Sequence, residues 1–472
     1  VLIGCLALAG CAAPGVDGFT ASKGVRDARA QRIKGYWGLR SDAALTARLD
    51  AAMTESDLNK AREHALVFLT GAGDLATQTR ELEVARLNAA DQAQAAPLLT
   101  AEQAQGQEQL AQLRRQVEQA DNVESLRQAL QPVRRGMEKP VSQQGRFLRA
   151  LPLALFTIPS ALTVAQMHHK EWRGELDANF AAAVRYTPGG SLGDELLDRY
   201  APIIVQEWLD QTPYPPLDNR FGEVSLNDHR RPVIDPTKPA VYAYRRQVLI
   251  NGHEHTQLTY THWYPEHPKL KSFDPEAGKV EGVTLRITLD DQQKPAVFET
   301  LYNCGCYHRT YPVASLESAA QAQAGPPQKG KKFAIERNLP NKIDLIVPKV
   351  VDDSGPAGRP VIRCRAGWHA IVDVAFDQAK HAGETTCDEV YTLHRYDELE
   401  RLPNSDGGVT SLFYDNGLVR DAQRIEGFFF VPIGMLSAGQ PRQRGTQLIH
   451  WDQHDFDDPQ LLTRALRLPE GF

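Results

Sequence analysis

The pattern of apolar and polar positions changes character part-way along the chain. From about Asp42 to Arg135 the residues are mainly Ala, Gln, Glu, Leu and Arg, which favour helix. Leu110, Leu113 and Val117, and then Leu126, Leu130, Val133 and Met137, recur at steps of three and four, the stripe of a packed helix. The pattern predicts several helices packed as a bundle or hairpin. A long coiled coil ranks second, because fewer than four clean heptads are visible. The Gln-rich polar face argues against a large core in this half.

After Gly189 aromatic and β-branched residues rise and Pro and Gly turns punctuate the chain. Strands are predicted at Val241–Ile250, Thr256–Tyr264, Val283–Leu289, Ala296–Cys304, Val361–Arg365 and Phe428–Val431. Asp290 to Lys294 closes a hairpin between Leu289 and Val297, and Asp415-Asn416-Gly417 is a second hairpin turn. Ala319 to Lys332 reads as a low-complexity linker. Asp457-Asp458-Pro459 opens a short helix, with Asp as cap and Pro in the first turn. The fold class is therefore α+β: an N-terminal helical region followed by a β-rich, β-sandwich-like domain. The expected organisation is a signal at 1–10, a tether at 11–30, a helical region at 31–188, and a β-rich domain at 189–472 with its linker near 319–332.

The first residues add an address. Val1 to Cys11 is an apolar run ending in small residues, as a secretory signal does, without an initiator Met or a basic start, so further precursor residues are expected before it. Leu8-Ala9-Gly10-Cys11 resembles the lipobox of bacterial lipoproteins. That resemblance implies cleavage before Cys11 and attachment of diacylglyceryl and palmitate-like chains to it, the membrane being the first partner. Ala12, where inner-membrane retention would use Asp, implies an outer-membrane location facing the periplasm or cell surface. An ordinary cleaved signal with an incidental Cys11 is the alternative. Residues 150–167 form a second apolar stretch, interrupted by Pro152 and Pro159, and read either as a buried or membrane-apposed segment or as a span.

Composition narrows the classes. The 472 residues allow two or three domains. The net charge of −6 lacks the basic excess of a nucleic-acid binder, so nucleic acid is not an expected partner. Of six Cys, removal of Cys5 and lipidation of Cys11 leave Cys304, Cys306, Cys364 and Cys387 as disulfide candidates, with three pairings open.

Most histidines lie in the β-rich half. In Asn303-Cys304-Gly305-Cys306-Tyr307-His308 an extended backbone would point Cys304, Cys306 and His308 to one side, a donor set for zinc or copper(I). Pairing of the two Cys with Cys364 and Cys387 is the competing reading. His253-Glu254-His255 has His-x-His spacing after an Asn-Gly turn, and His262 and His267 follow. His450 to Asp455 is a compact acidic run that reads as a solvated loop or, with Asp452 supporting a histidine, as part of a site. Gly189-Gly190-Ser191-Leu192-Gly193 matches a nucleophile elbow in letters, but Pro188 precedes it, and Ser191 reads instead as the cap of a helix from Asp194 to Tyr200.

Three stretches carry a second resemblance: Arg199-Tyr200-Ala201-Pro202, the hairpin Val280–His308, and Ala366-Gly367-Trp368-His369-Ala370. Their order is similar to a β-rich family related to vacuolar-sorting proteins, whose middle motif resembles the metal-binding heptapeptide of necrosis-inducing toxins. Lys279 to Val283 stands at that place and keeps Glu281 and Gly282 without the acidic centre. The resemblance implies a β-sandwich, singles out His308 and His369, and implies no activity.

Two functions follow. One is a non-enzymatic envelope protein with a structural or interaction role, partnered by other envelope proteins. The alternative is a metal-binding protein or metal-dependent hydrolase using His253, His255, Cys304, Cys306, His308 and His369, with zinc or copper. No other cofactor is implied.

Overall fold

The computed structural model describes residues 43–87, 89–137, 182–209, 220–270, 272–304, 307–338, 347–355, 358–377, 385–414, 418–422, 424–425 and 460–472. Cys11 with its lipobox, residues 150–167, Cys306, the turn at Asp415–Gly417, the strand expected at Phe428–Val431, and the runs His450–Asp455 and Asp457–Pro459 lie outside them. Among the described residues no helix is long and apolar enough to cross a membrane.

Two compact units divide the chain. One comprises Val1–Gly145, Glu400–Gly417 and Arg442–Gln447; the other comprises Arg146–Leu399, Leu418–Pro441 and Leu448–Phe472. The first contains helices α1 (Ala43–Thr54), α2 (Leu58–Ala85), α3 (Ala89–Glu118) and α4 (Val123–Met137). Ala61, Ala65, Phe68, Leu69 and Ala72 follow a three-to-four step along α2 and are buried against Leu49, Leu113, Val117, Leu126, Leu130 and Val133. The small Ala residues on this face leave room for Phe68, which is fully buried. Asp57 starts α2 by accepting the amides of Asn59 and Lys60. Arg62 donates to the carbonyls of Val117 and Ala120 at the end of α3. From Leu110 to Val133 the expected apolar stripe is thus the packed one, and it builds a core although the sequence is Gln-rich. Strands β13 (Leu402–Pro403) and β14 (Val409–Thr410) pair within the same unit.

The second unit is built on one ten-stranded sheet. Its strands in chain order are β1 (Ala182–Gly189), β2 (Ile203–Glu207), β5 (Ala240–Ile250), β6 (His253–His267), β7 (Gly278–Leu289), β8 (Pro295–Tyr302), β9 (Arg309–Pro312), β10 (Pro360–Cys364), β11 (Ile371–Phe376) and β12 (Thr385–Arg395). In space the order is β11-β10-β2-β1-β12-β5-β6-β7-β8-β9, with three parallel pairs, β10/β2, β1/β12 and β12/β5, among antiparallel ones. The sheet curls until its edges approach: Phe298 of β8 meets Phe376 of β11 with ring centroids 5.7 Å apart. Arg309 of β9 donates to the carbonyl of Ile371 at 2.7 Å. The α+β class therefore holds, with the facing layers supplied by one curled sheet instead of two separate ones. Hairpin β3 (Glu223–Leu226)/β4 (Pro232–Asp235) and helices α5 (Glu195–Tyr200), α6 (Ala314–Ala324) and α7 (Gln460–Ala465) complete the unit.

Local chemistry accounts for several details. Ile250 pairs with His253 across Asn251 and Gly252, both at positive φ, as a two-residue turn of this hand requires. Asp290 accepts the amides of Gln292 and Lys294 and so shapes the predicted β7–β8 turn. A bulge between Thr288 and Leu289 shifts the register beyond it. Three boundaries differ from expectation. Strand β1 begins at Ala182, inside the stretch read as helical. Residues 319–324 complete α6, where Ala320 is fully buried, instead of starting a linker. Helix α5 is capped by the Asp194 carboxylate, while the Ser191 hydroxyl donates to Asp198.

Both faces of β6, β7 and β8 are covered, so their packing has little slack. Gly282 shows this most sharply: a methyl there would lie 2.1 Å from the Asn303 amide nitrogen and 2.6 Å from the Trp263 ring. Gly282→Ala is expected to lower stability by about 1–3 kcal/mol, read as a lower urea midpoint for loss of Trp fluorescence change. An unchanged midpoint would mean that Asn303 and Trp263 do not close over this strand.

Candidate functional site

Glu281 is the centre of the chemically richest cluster. It sits on β7 opposite Tyr264 of β6. His267 Nδ1 lies 2.9 Å from Oε1, and His369 Nδ1 lies 2.6 Å from Oε2. A carboxylate only accepts, so each ring donates its Nδ1–H. The Arg424 guanidinium stands 3.5 Å from Oε1. All four side chains are at most 4% exposed.

Each partner comes from a different element. His267 ends β6. His369 belongs to the loop between β10 and β11, closed by the Arg365 amide on the Ala370 carbonyl and the His369 amide on the Arg365 carbonyl. Tyr302 donates to the Trp368 carbonyl and the Ala366 amide donates to Glu207, which fastens that loop to the sheet. Tyr264 stacks flat on the His369 ring, 3.7 Å between centroids, and its hydroxyl donates to Gln206 at 2.6 Å. Gln206 in turn donates to the carbonyls of Cys364 and Arg365. His262 lies beside Tyr264, its Nε2 3.9 Å from the Cys364 sulfur.

The backbone is strained at the same place. Val280 and His369 both have φ of 55°. For β-branched Val280 this conformation is sterically poor, at a cost of about 1–3 kcal/mol. Val280 lies between the pairs Tyr264/Glu281 and Glu266/Lys279, hence opposite Pro265, which has no amide hydrogen to give the ladder.

A second buried set lies on the opposite face of β7. Arg286 forms a two-pronged pair with Glu299 at 2.6 and 2.7 Å, and His308 Nε2 lies 3.0 Å from the same carboxylate. Nearby, Thr261, Thr284 and Asn303 form a chain of hydrogen bonds at 2.8 and 2.7 Å.

Electrostatics follow from burial and pairing. Burial alone would raise the Glu281 carboxyl, but His267, His369 and Arg424 hold it well below the usual carboxylate range. Burial would lower His267, and the Glu281 charge outweighs it, so the ring titrates above 6.5. Glu299, resisting burial through Arg286 and His308, falls to about 2. His262 has no carboxylate partner, so burial and then His369 push it down to about 3. Burial drives the Cys364 thiol up to about 12, which keeps it protonated and a poor nucleophile.

Cys306 lies outside the described residues, and the other five residues expected to share a metal site have these separate surroundings. His253 is exposed at the start of β6. His255 faces the Leu289 carbonyl at 2.9 Å and stacks on Phe472. His308 belongs to Glu299, and His369 to Glu281. Cys304 follows the end of β8 and His308 precedes the antiparallel β9, so these two do not share one face of a single strand. Cys304, Cys364 and Cys387 are free thiols, the first two buried and the third exposed, so no disulfide joins them. Among the described residues no group of three or more His, Cys, Asp or Glu is placed to hold a metal ion. Among the described residues, His255 Nε2 and His267 Nε2 are buried with no hydrogen-bond partner, one unused nitrogen in each of two separate places.

One described cavity lies away from these clusters. A cavity of about 1000 Å³ occupies the seam between the sheet edges, lined by Lys349–Gly355, by Val374–Phe376 of β11, by the β7–β8 turn, by α6 and by Pro469–Phe472. Its ionisable lining is Asp290, Lys294, Lys349, Asp352, Asp353 and Glu470, with no His or Cys among the described lining residues. Ser315 is there too, but its hydroxyl donates to Asp353.

Comparison with protein-family models, with curated proteins and with solved structures gives no match for this chain.

Removing the Glu281 charge leaves Arg424 and His267 buried against each other. Glu281→Gln is expected to lower stability by about 3–5 kcal/mol in urea unfolding followed by circular dichroism. A loss below about 1 kcal/mol would contradict the clamp.

Acid should act in two ranges. Glu299, depressed from 4.5 to about 2, contributes stability that is complete above pH 4.5 and lost as pH falls through 2. His262, depressed from 6.5 to about 3, behaves likewise between those values. Urea midpoints should therefore fall steadily on acidification from about pH 6.5, and a flat profile down to about pH 3 would refute the assignment.

Proposed function

We propose that this chain is a lipid-anchored envelope protein whose β-rich unit serves as an interaction module and not as an enzyme. One observation carries the reading: the reactive groups and the accessible space are separated. Glu281, His267, His369, Glu299 and His308 are spent on one another inside the sheet, at no more than 4% side-chain exposure. The cavity that a ligand could enter is lined by carboxylates, lysines and apolar groups. Its two serines, Ser315 and Ser354, are paired with the carboxylates of Asp353 and Asp352, and no imidazole stands among the described lining residues to take a proton from either, as a hydrolytic nucleophile needs.

Leu8-Ala9-Gly10-Cys11 supports the anchor, and Ala12 supports placement at the outer membrane. Several acyl chains at Cys11, each buried methylene contributing about 0.8 kcal/mol, would hold the protein at the bilayer while the folded units remain in the aqueous phase.

The anchor is tested by metabolic labelling of the precursor with an alkyne fatty acid, followed by membrane fractionation. Wild type should take up label and pellet with membranes; Cys11→Ser should do neither. Absence of label in wild type, or equal labelling of the variant, would refute the anchor.

A further inference from the structure

The seam cavity is bounded by β11 and by the extended stretch around Val351, whose outward main-chain groups have no hydrogen-bond partner among the described residues. In the β10/β11 ladder, the Asp377 amide donates to the Arg359 carbonyl. Counting from that pair, Ala375 and Asp373 carry the bonds to β10, so Val374 and Phe376 turn their main-chain amide and carbonyl groups away from it. On the other side, the Val351 amide donates to the Pro312 carbonyl, and the Val351 carbonyl accepts from Ala314. Val350 and Asp352 therefore turn their main-chain groups away from β9. Val350, Asp352, Val374 and Phe376 all line the cavity. Val374 is fully covered while Ala375 and Phe376 are partly open, so access is from the Phe376 end. Between β11 and the Val351 stretch lies a space of about 1000 Å³.

Charge indicates what fits. The lining has four carboxylates, Asp290, Asp352, Asp353 and Glu470, against two lysines, and Lys349 is already paired with Asp373. Leu316, Phe376 and Phe472 supply apolar surface. Unpaired main chain on both flanks asks for an occupant with its own amide and carbonyl groups at strand spacing, and the acidic excess asks for positive charge. We infer that this cavity is a binding site for an extended peptide bearing basic side chains, which enters between Lys349–Gly355 and β11 and completes the sheet.

The inference rests on the interaction-module reading and gives it a partner class. Its test is independent of the anchor. The folded full chain is titrated with three fluorescent octapeptides: alternating Lys-Thr, alternating Glu-Thr, and Lys-Thr with every second amide N-methylated. The Lys-Thr peptide should bind at least about tenfold more tightly than the Glu-Thr peptide. N-methylation, which keeps the charge but removes edge donors, should weaken binding by about tenfold or more. Ala319→Trp, which fills the cavity from α6, should abolish binding while the thermal unfolding profile is retained, and the exposed Asp352→Asn should weaken it about threefold. No binding of the Lys-Thr peptide up to about 1 mM would overturn the proposal. Equal affinity for the acidic or the N-methylated peptide would overturn it too, as would binding by a folded Ala319→Trp variant equal to wild type. Failure here with Cys11 labelled would leave the anchor standing; peptide binding with Cys11 unlabelled would leave the site standing.

Discussion

A carboxylate buried out of water must find positive charge and hydrogen-bond donors, and in this protein Glu281 finds them on three different segments. His267 comes from the neighbouring strand, His369 from the loop that joins β10 to β11, and Arg424 from a later part of the chain. In the spatial order of the sheet β6 and β7 are separated from β10 and β11 by several strands. One acid therefore ties together parts that the ladder alone holds far apart. The left-handed backbone at Val280 and His369 lies beside this contact, so local strain is accepted where the ion cluster is assembled.

The second buried pair repeats the logic on the other face of β7. Arg286 and Glu299 face each other because the bulge at Thr288/Leu289 shifts the hairpin by one residue; without it, the Leu289/Pro295 register would set Arg286 against Phe298. Sealing both faces of these strands buries His267 and His308 with their carboxylate partners, apart from the described seam cavity. A gap flanked by main chain suits recognition by strand addition, whereas catalysis would need the buried groups exposed.

Much of this was legible in the residues. The stripe from Leu110 to Val133, the strand Val241–Ile250, the Asp290 turn and the Asn251-Gly252 turn all express local periodicity or turn chemistry, which act over a few residues. Pairings between distant segments were not legible. Glu281 stood in a short motif and His369 in another, and nothing in the spacing of 88 positions says that they touch. The thiolate reading of Cys304 relied on one straight strand through His308, whereas Cys304 follows β8 and His308 precedes β9; the disulfide reading relied on an even count of Cys, which does not say which thiols meet. Arg286 and Glu299 could have been matched across the hairpin, but only by someone who knew of the bulge. The helix at Ala314–Ala324 was hidden by its composition: Ala and Gln repeat as they do in linkers, and only the burial of Leu316 and Ala320 distinguishes it.

The clamp on Glu281 is most directly tested by the ring nitrogens of His267 and His369. In a sample with ¹⁵N-labelled histidine, proton–nitrogen correlation spectra should show an Nδ1–H signal for each ring, shifted by its hydrogen bond to the carboxylate. Both signals should persist after transfer to D₂O, because neither side chain is more than 1% exposed. Two rings whose Nδ1 protons vanish on transfer would contradict a buried carboxylate held between two imidazoles.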